Sequence, residues 1–407
     1  MIPDNPIFAV TGSNGKTTAV LLTKFVLEYQ GIKTAVLDNW KGCTAFEKQK
    51  ERASWDGTSC LLVEAPVEML RQRRLPTSMF KAAALLNLAA EHPCGTRGKN
   101  KSYRLISSFF NELPEGARAI LNVDDPQALS LVQDGPYNLI TFATDYSNAM
   151  VVATNVQYSG LTATFDLQVN GELISLSGQV IMPATCTVYL PMAGRHNISN
   201  ALLAAIISLL MGVNLQDIGK ALSLFPGIRR QLEVVYNGYA LIIDDSAQNP
   251  AAIRAVLDTV EKLDRRRVII VHGLSGGSGG EINSQNAMEM AGWLAARPRD
   301  SLLVTRSMYH VKNRHRVQLD EEKAFFNTLR EKETDFAYFP DLPDVLESAL
   351  SHAQEDDVVL LLGGPVLNRA QELLIQILGD NFPALVPGAP VPLVKAGFTQ
   401  GISVNPS

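Results

Sequence analysis

The chain has 407 residues, of which 46% are hydrophobic and 19% charged, with a formal net charge of -5. At roughly 100–200 residues per domain, this length suggests two or three domains of ordinary globular composition. No block of Lys and Arg is present, which counts against nucleic acid as a partner. No apolar run approaches the roughly 18 residues of a membrane span either.

Residues 7–10 form a short apolar run that ends in a glycine-bearing turn. Residues 17–30 follow, with apolar side chains at helical spacing and Gly31 placed to stop the helix. Further short apolar runs at 34–37, 60–63 and 83–86 read as buried strands between helices, the pattern of a parallel sheet covered on both faces. Between about 151 and 190 the texture changes to apolar–polar alternation rich in Thr and Val. Asn170-Gly171 there gives a hairpin-turn signal, so an antiparallel patch is expected in or on the first domain. Residues 198–211 return to helix.

Phe225-Pro226-Gly227 reads as a hinge. Beyond it the α/β rhythm restarts, with strands at 241–243, 268–271, 302–304 and 358–362 and a helix at 250–263. The expected class is therefore α/β: a P-loop parallel-sheet ATPase domain with an antiparallel β patch over 1–226, then a smaller Rossmann-like α/β domain over 227–385. A Pro-rich tail, 386–407, completes the chain. The N-terminus lacks the charged and apolar regions of a secretory leader. The cysteines, Cys43, Cys60, Cys94 and Cys186, are scattered with no C-x-x-C pair, which suggests reduced thiols in a cytoplasmic protein rather than a zinc ribbon.

The strongest chemical signal is Gly12-Ser13-Asn14-Gly15-Lys16-Thr17-Thr18, between a predicted strand and a predicted helix. Glycines let backbone N–H groups converge on phosphate oxygens, and the helix N-terminus adds partial positive charge. Lys16 is placed to reach the β- and γ-phosphates of ATP, and the Thr17 hydroxyl to ligate Mg2+. The loop is shorter than the common P-loop, because Val10 stands where its first glycine would be.

Five further landmarks follow in order. They are Leu62-Val63-Glu64, Asn87-Leu88-Ala89-Ala90-Glu91-His92, Asn122-Val123-Asp124-Asp125, Gly194-Arg195-His196-Asn197-Ile198-Ser199-Asn200-Ala201 and Asp245-Ser246-Ala247-Gln248-Asn249-Pro250. With the short phosphate loop, this series resembles the Mur ligase superfamily. That group includes the peptidoglycan amino-acid ligases, folylpolyglutamate synthases and the C-terminal Mur-like part of cyanophycin synthetase. The 28-residue interval from Glu64 to His92 looks most like the last of these, although its ATP-grasp half is missing here.

The resemblance implies an ADP-forming ligase. A small-molecule or short-peptide carboxylate would be activated as an acyl phosphate and captured by an amine. It also implies roles for single residues: Glu64 on Mg2+ beside Thr17, His92 on a second Mg2+, Asn200 toward adenine, and Asp245 toward ribose. Each has a plainer reading. Glu64 could be a solvated carboxylate, His92 a hydrogen-bonded structural histidine, Asn197 and Asn200 helix caps, and Asp244-Asp245 a turn. Gly273–Gly280 could be a second anion cradle, but a mobile loop is the favoured reading.

Three positions depart from the family pattern. Many Mur ligases carry a carbamylated lysine fifteen residues after the metal histidine, where this chain has Ser107. Gln248 replaces a histidine, and either Arg229 or Arg230 could be the hinge arginine. These departures keep a second function open, an ATP-binding regulatory or assembly subunit with lost catalysis; a P-loop kinase or NTPase is a third. Acceptor choice is expected in 38–59 and in the last domain's loops, and a homo-oligomer or a protein partner is left open.

Overall fold

The computed structural model describes residues 5–38, 57–70, 77–88, 95–131, 135, 137–144 and 148–379. The chain divides into two compact units, Met1–Phe225 and Pro226–Ser407.

The first unit is built on one nine-stranded sheet. In chain order its strands are β1 Ile7–Thr11, β2 Thr34–Leu37, β3 Cys60–Glu64, β4 Phe80–Leu85, β5 Arg118–Asn122, β6 Asn138–Ala143, β7 Val151–Ser159 and β8 Thr162–Val169. A two-stranded ribbon, β9 Leu173–Ile174 and β10 Val180–Ile181, intervenes before the last strand, β11 Ala184–Leu190. The order across the sheet is β11-β8-β7-β6-β5-β4-β1-β3-β2. Strands β2 to β6 pair in parallel around β1, and β7 joins β6 in parallel. From β7 outward the pairing is antiparallel.

The antiparallel patch is thus a continuation of the main sheet. Its tight turn lies at Gly160-Leu161, where Ser159 faces Thr162 and Gly160 takes a φ of 57°. The Asn170-Gly171 pair is no two-residue hairpin. Asn170 donates its backbone N–H to Met150 O (2.8 Å) and its side-chain amide to Ala149 O (2.8 Å), extending the β7–β8 seam before the chain leaves for the ribbon.

Every residue of β1 is buried, as a central strand covered on both faces requires. Ile7 and Ala9 pack with Ile106, Phe109 and Phe110 of helix α2, Gly95–Asn111. Helices α1, Lys16–Tyr29, and α3, Arg195–Leu210, pack on each other. Residues 197–210 of α3 are all buried, so this helix is enclosed around its full circumference, with Asn197, Ser199, Asn200 and Ser208 as its buried polar members. Helix α4, Leu215–Ser223, lies on β11 at Gly219, where an added Cβ would stand 2.8 Å from Cys186 Sγ.

The second unit holds a six-stranded sheet: β12 Glu233–Asn237, β13 Leu241–Asp245, β14 Val268–Gly273, β15 Ser301–Thr305, β16 Ala337–Phe339 and β17 Val358–Leu362. Its order is β12-β13-β17-β14-β15-β16, parallel except for the edge strand β12. Helices α5 Pro250–Val260, α6 Gly280–Ala295 and α7 Leu319–Glu331 pack side by side. Helices α8 Leu342–His352 and α9 Ala370–Leu378 share a core with Ile242, Ile269, Val271 and Leu361. This layered, mostly parallel arrangement is the α/β class expected from the apolar runs.

Candidate active site

The phosphate loop joins β1 to α1. Gly12 (φ 140°) and Gly15 (φ 85°) both hold backbone conformations that L side chains rarely adopt. Neighbours forbid side chains there too. A Cβ on Gly12 would lie 3.1 Å from Asn87 O, and one on Gly15 would lie 2.5 Å from Asn200 Oδ1.

Asn87 is the residue that sequence reasoning missed. Standing just past β4, it accepts the Ser13 N–H on its backbone oxygen (3.1 Å). Its side chain accepts the Asn14 N–H (3.0 Å) and donates to Asn14 O (2.9 Å). Lys16 arches back over the same loop, donating Nζ to Gly12 O (2.7 Å) and Ser13 O (2.9 Å). Thr18 is buried in the first turn of α1. The N-cap of α1 is Gly15, which has no side chain to cap the helix, so backbone N–H groups and the helix dipole meet at this end.

Glu64 ends β3, one strand away in the sheet. Thr17 Oγ1 donates to its Oε2 at 3.1 Å. Burial pushes the Glu64 carboxyl above its ordinary range. The Thr17 hydrogen bond and the nearby Lys16 oppose that shift, and Asp38 adds to it. A hydroxyl and a half-buried carboxylate set at a phosphate loop are hard oxygen donors, the type that Mg2+ takes.

Asp124 and Asp125 turn out to be braces. Asp125 Oδ2 accepts the Leu88 N–H (2.8 Å), and Asn122 Nδ2 donates to Leu86 O (2.9 Å), so the end of β5 holds the end of β4. Asp124 accepts both the N–H and the hydroxyl of Thr144 (2.8 and 2.7 Å) and pairs with Arg195 (3.2 Å). Arg195 also donates Nε to Thr144 Oγ1 (2.6 Å), tying the start of α3 to the sheet. Asn200 lies one turn on, 2% exposed, against Gly15, with Asn197 Oδ1 3.5 Å from its amide. Asn197 is also buried and donates to Ala193 O (2.8 Å), not to an exposed cap position.

His92 lies outside the described residues, as do residues 39–56, which make up most of the 38–59 span in which acceptor choice was expected. Ser107 sits within α2 and is half-buried. Among the described residues no cluster of three His, Cys, Asp or Glu is placed to hold a metal.

In the second unit, Asp245 ends β13 and is 8% exposed. Its two oxygens accept the N–H groups of Leu232 and Ala247, both at 2.8 Å. Burial raises its carboxyl to about 7 against the pull of those two N–H groups. The two hinge arginines separate clearly. Arg229 is exposed. Arg230, with a φ of 58°, is buried: Nε meets both oxygens of Asp244 (3.0 Å), Nη1 reaches Gly364 O (2.9 Å) and Asn368 Oδ1 (2.5 Å), and Nη2 reaches Gly363 O (2.5 Å). Gln248 rests on Gly364, where a Cβ would stand 2.2 Å from its Cδ.

The glycine-rich stretch after β14 already has its anion. Glu321, 2% exposed, accepts the Gly279 N–H (2.8 Å) with one oxygen and the Gln318 N–H (2.8 Å) with the other, serving the starts of α6 and α7 together. Asn283 is also buried; it accepts the Ser275 N–H and donates to Ser275 O and Gly279 O. This stretch is a pinned turn, and the idea of a second anion cradle gives way to that resident carboxylate.

Comparison with known proteins agrees with this architecture. Residues 10–208 match the Mur ligase middle domain, and residues 230–364 match the glutamate ligase domain of Mur ligases. A UDP-N-acetylmuramate–L-alanine ligase of Dinoroseobacter shibae is 30% identical over 266 residues, covering 65% of this chain and 54% of that protein. The chain spans about half the length of the curated relatives it matches. MurF from Acinetobacter baumannii superposes with a TM-score of 0.69 at 19% identity, over 93% of this chain and 78% of that one. MurF from Thermotoga maritima, solved in complex with ADP, gives 0.68 at 14% identity, over 92% and 79%.

Proposed function

Because the chain belongs to the Mur ligase superfamily, we propose that it is an ATP-dependent, ADP-forming ligase. It joins a carboxylate, by way of an acyl phosphate, to the amine of an amino acid or related compound. The observation that carries this reading is the Thr17–Glu64 contact (3.1 Å) at the mouth of a preformed phosphate loop.

In this reading the amides at the start of α1, with Lys16, hold the triphosphate. Lys16 exchanges the carbonyls of Gly12 and Ser13 for phosphate oxygens when ATP enters. Thr17 and Glu64 are the residues that would hold Mg2+, with His92 proposed for a second ion. Such an ion supplies charge to the β- and γ-phosphates and so favours the departing ADP. A substrate carboxylate oxygen then bonds to the γ-phosphorus as the bond to ADP breaks. The amine next attacks the acyl carbon, phosphate leaves, and the nitrogen loses its extra proton. Positioning and charge stabilisation dominate both steps. Asn200 and Asp245 remain proposals for nucleotide contacts. With its two oxygens on backbone amides, Asp245 keeps lone pairs that a hydroxyl could still use.

The substrates are proposed to be small molecules or short peptides in the cytoplasm. Among the described residues no helix is long and apolar enough to cross a membrane. The finer likeness to the Mur-like part of cyanophycin synthetase is also a proposal, resting on the Glu64-to-His92 interval.

The test is ADP release across carboxylate and amine pairs, with Lys16→Ala as the blank. Turnover that requires both partners is expected, and ATP hydrolysis indifferent to the amine across a broad panel would end the ligase reading. Ser107 and Gln248 favour one other function, an ATP-binding regulatory or assembly subunit without catalysis. Tight ATP binding with no turnover, together with a stable protein partner, would select it.

A further inference from the structure

We propose that Asn87 is a positioning residue for the nucleotide: its side-chain amide sets the backbone of the phosphate loop before any ligand arrives. The proposal rests on the loop being a triphosphate site, and the experiment below separates the two ideas.

A short glycine-bearing loop has many accessible conformations, and fixing them at the moment of binding costs conformational entropy. Asn87 removes that freedom beforehand. Its Oδ1 and Nδ2 engage both backbone groups of Asn14, and its carbonyl oxygen takes the Ser13 N–H. A primary amide is suited to this task, since at any working pH it offers an acceptor and a donor side by side to match a peptide N–H and C=O. The close approach of Gly12 to Asn87 O and N keeps the two segments in register.

Asn87 is itself held. Leu86 N–H donates to Thr11 O (3.1 Å), Leu86 O accepts from Asn122, and Leu88 N–H donates to Asp125. Asp124 N–H in turn donates to Asn122 Oδ1 (3.1 Å). A chain of side-chain amide and carboxylate contacts therefore runs from the end of β5, through the end of β4, to the phosphate loop. One consequence concerns which amides face the ligand. The Ser13 and Asn14 N–H groups point to Asn87, so the phosphates fall to the first turn of α1, where the helix dipole favours negative charge.

Calorimetric titration of the full chain with Mg-ATP, Mg-ADP and AMP tests the clamp. For Asn87→Ala, ATP and ADP affinity should fall tenfold or more while AMP affinity stays within twofold, because AMP lacks the phosphates that the loop aligns. For Asn87→Asp, the carboxylate keeps the acceptor toward Asn14 N–H but opposes Asn14 O. Its ADP affinity relative to wild type should be low at pH 8 and begin to recover toward pH 4.5, as the acid, which ordinarily titrates near 4, protonates and regains a donor. A purely structural role predicts a lower melting temperature, an equal loss for all three nucleotides and no such recovery with pH. That pattern, or wild-type ADP affinity in Asn87→Ala, would overturn the clamp. A wild-type chain that binds none of the three would instead overturn the nucleotide site itself, and the clamp with it.

Discussion

Thr17 and Glu64, 47 residues apart in sequence, meet in a 3.1 Å hydrogen bond in which the hydroxyl donates to the carboxylate. Strand β3 lies beside β1 in parallel register, with Glu64 opposite Val10, and that places the end of one strand beside the helix that follows the other. If both groups serve one Mg2+, their contributions to nucleotide affinity are coupled. Thr17→Ala and Glu64→Ala should each weaken Mg-ATP binding by ~1–3 kcal/mol, and the double variant should lose less than the sum. The same cycle without Mg2+ should show little coupling. Calorimetry in the presence and absence of Mg2+ reads both, and strict additivity in Mg2+ would show that the pair does not share an ion.

What could be read from the sequence is what is local. The strand–glycine turn–helix corner at 7–30 declares itself through short-range pattern, as do the buried runs of the parallel strands. The alternation over 151–190 signalled antiparallel pairing, yet not that these strands extend the main sheet. The Gly160-Leu161 turn was masked by a stronger dipeptide signal at Asn170-Gly171, whose asparagine is occupied at Met150 and Ala149. Asn87 could be seen as a motif letter, but its grip on Asn14 spans 73 residues. Arg229 and Arg230 are chemically identical neighbours. In the structure Arg230, on a left-handed backbone, is the one that turns into the protein. Likewise the glycines at 273–280 look like an anion cradle until Glu321 is placed in it.

Gly15 offers a test of the loop from the other side. Gly15→Ala meets two obstacles, a φ of 85° and an added Cβ 2.5 Å from Asn200 Oδ1. The left-handed backbone costs a non-glycine residue about 1–2 kcal/mol, and the contact adds to it. The variant should lose nucleotide affinity by an order of magnitude or more. Adding Asn200→Ala should recover melting temperature in part, since it relieves the contact but leaves the backbone strained. Full recovery, or none, would argue against this geometry.

Arg230 should matter to stability rather than to phosphate binding. It is buried, faces the fully buried Asp244, and takes the carbonyl oxygens of Gly363 and Gly364. Arg230→Ala leaves a buried carboxylate and those carbonyls without their donor, at a cost of about 3–5 kcal/mol. Arg230→Lys should rescue little, because one ammonium cannot span the same fork. Arg229→Ala, at an exposed position, should change stability by less than about 0.5 kcal/mol. Denaturant unfolding of the three variants separates these outcomes, and equal losses at 229 and 230 would contradict the assignment.

The pH dependence of the second unit follows from its buried acids. Burial raises Asp245 to about 7 and Asp244 to about 6, the latter against the opposing pull of Arg230. An unfolded aspartate titrates near 4. Between those values the folded chain binds more protons than the unfolded one, so stability falls as pH rises toward and through 7. His272 acts the other way. It is wholly buried, with Nδ1 2.8 Å from Leu362 O, and burial lowers it to about 4, so its contribution grows as pH rises from about 4 to 6.5. The two effects oppose each other in acid, but above about pH 6.5 only the aspartates still titrate. The melting temperature of the second unit should therefore decline from pH 6.5 to 8.5. Asp245→Asn should flatten that decline, even though it lowers stability by turning one acceptor into a donor facing a backbone N–H. An unchanged slope in Asp245→Asn would mean that this carboxyl is already ionised well below neutral pH, its charge held by the Leu232 and Ala247 amides.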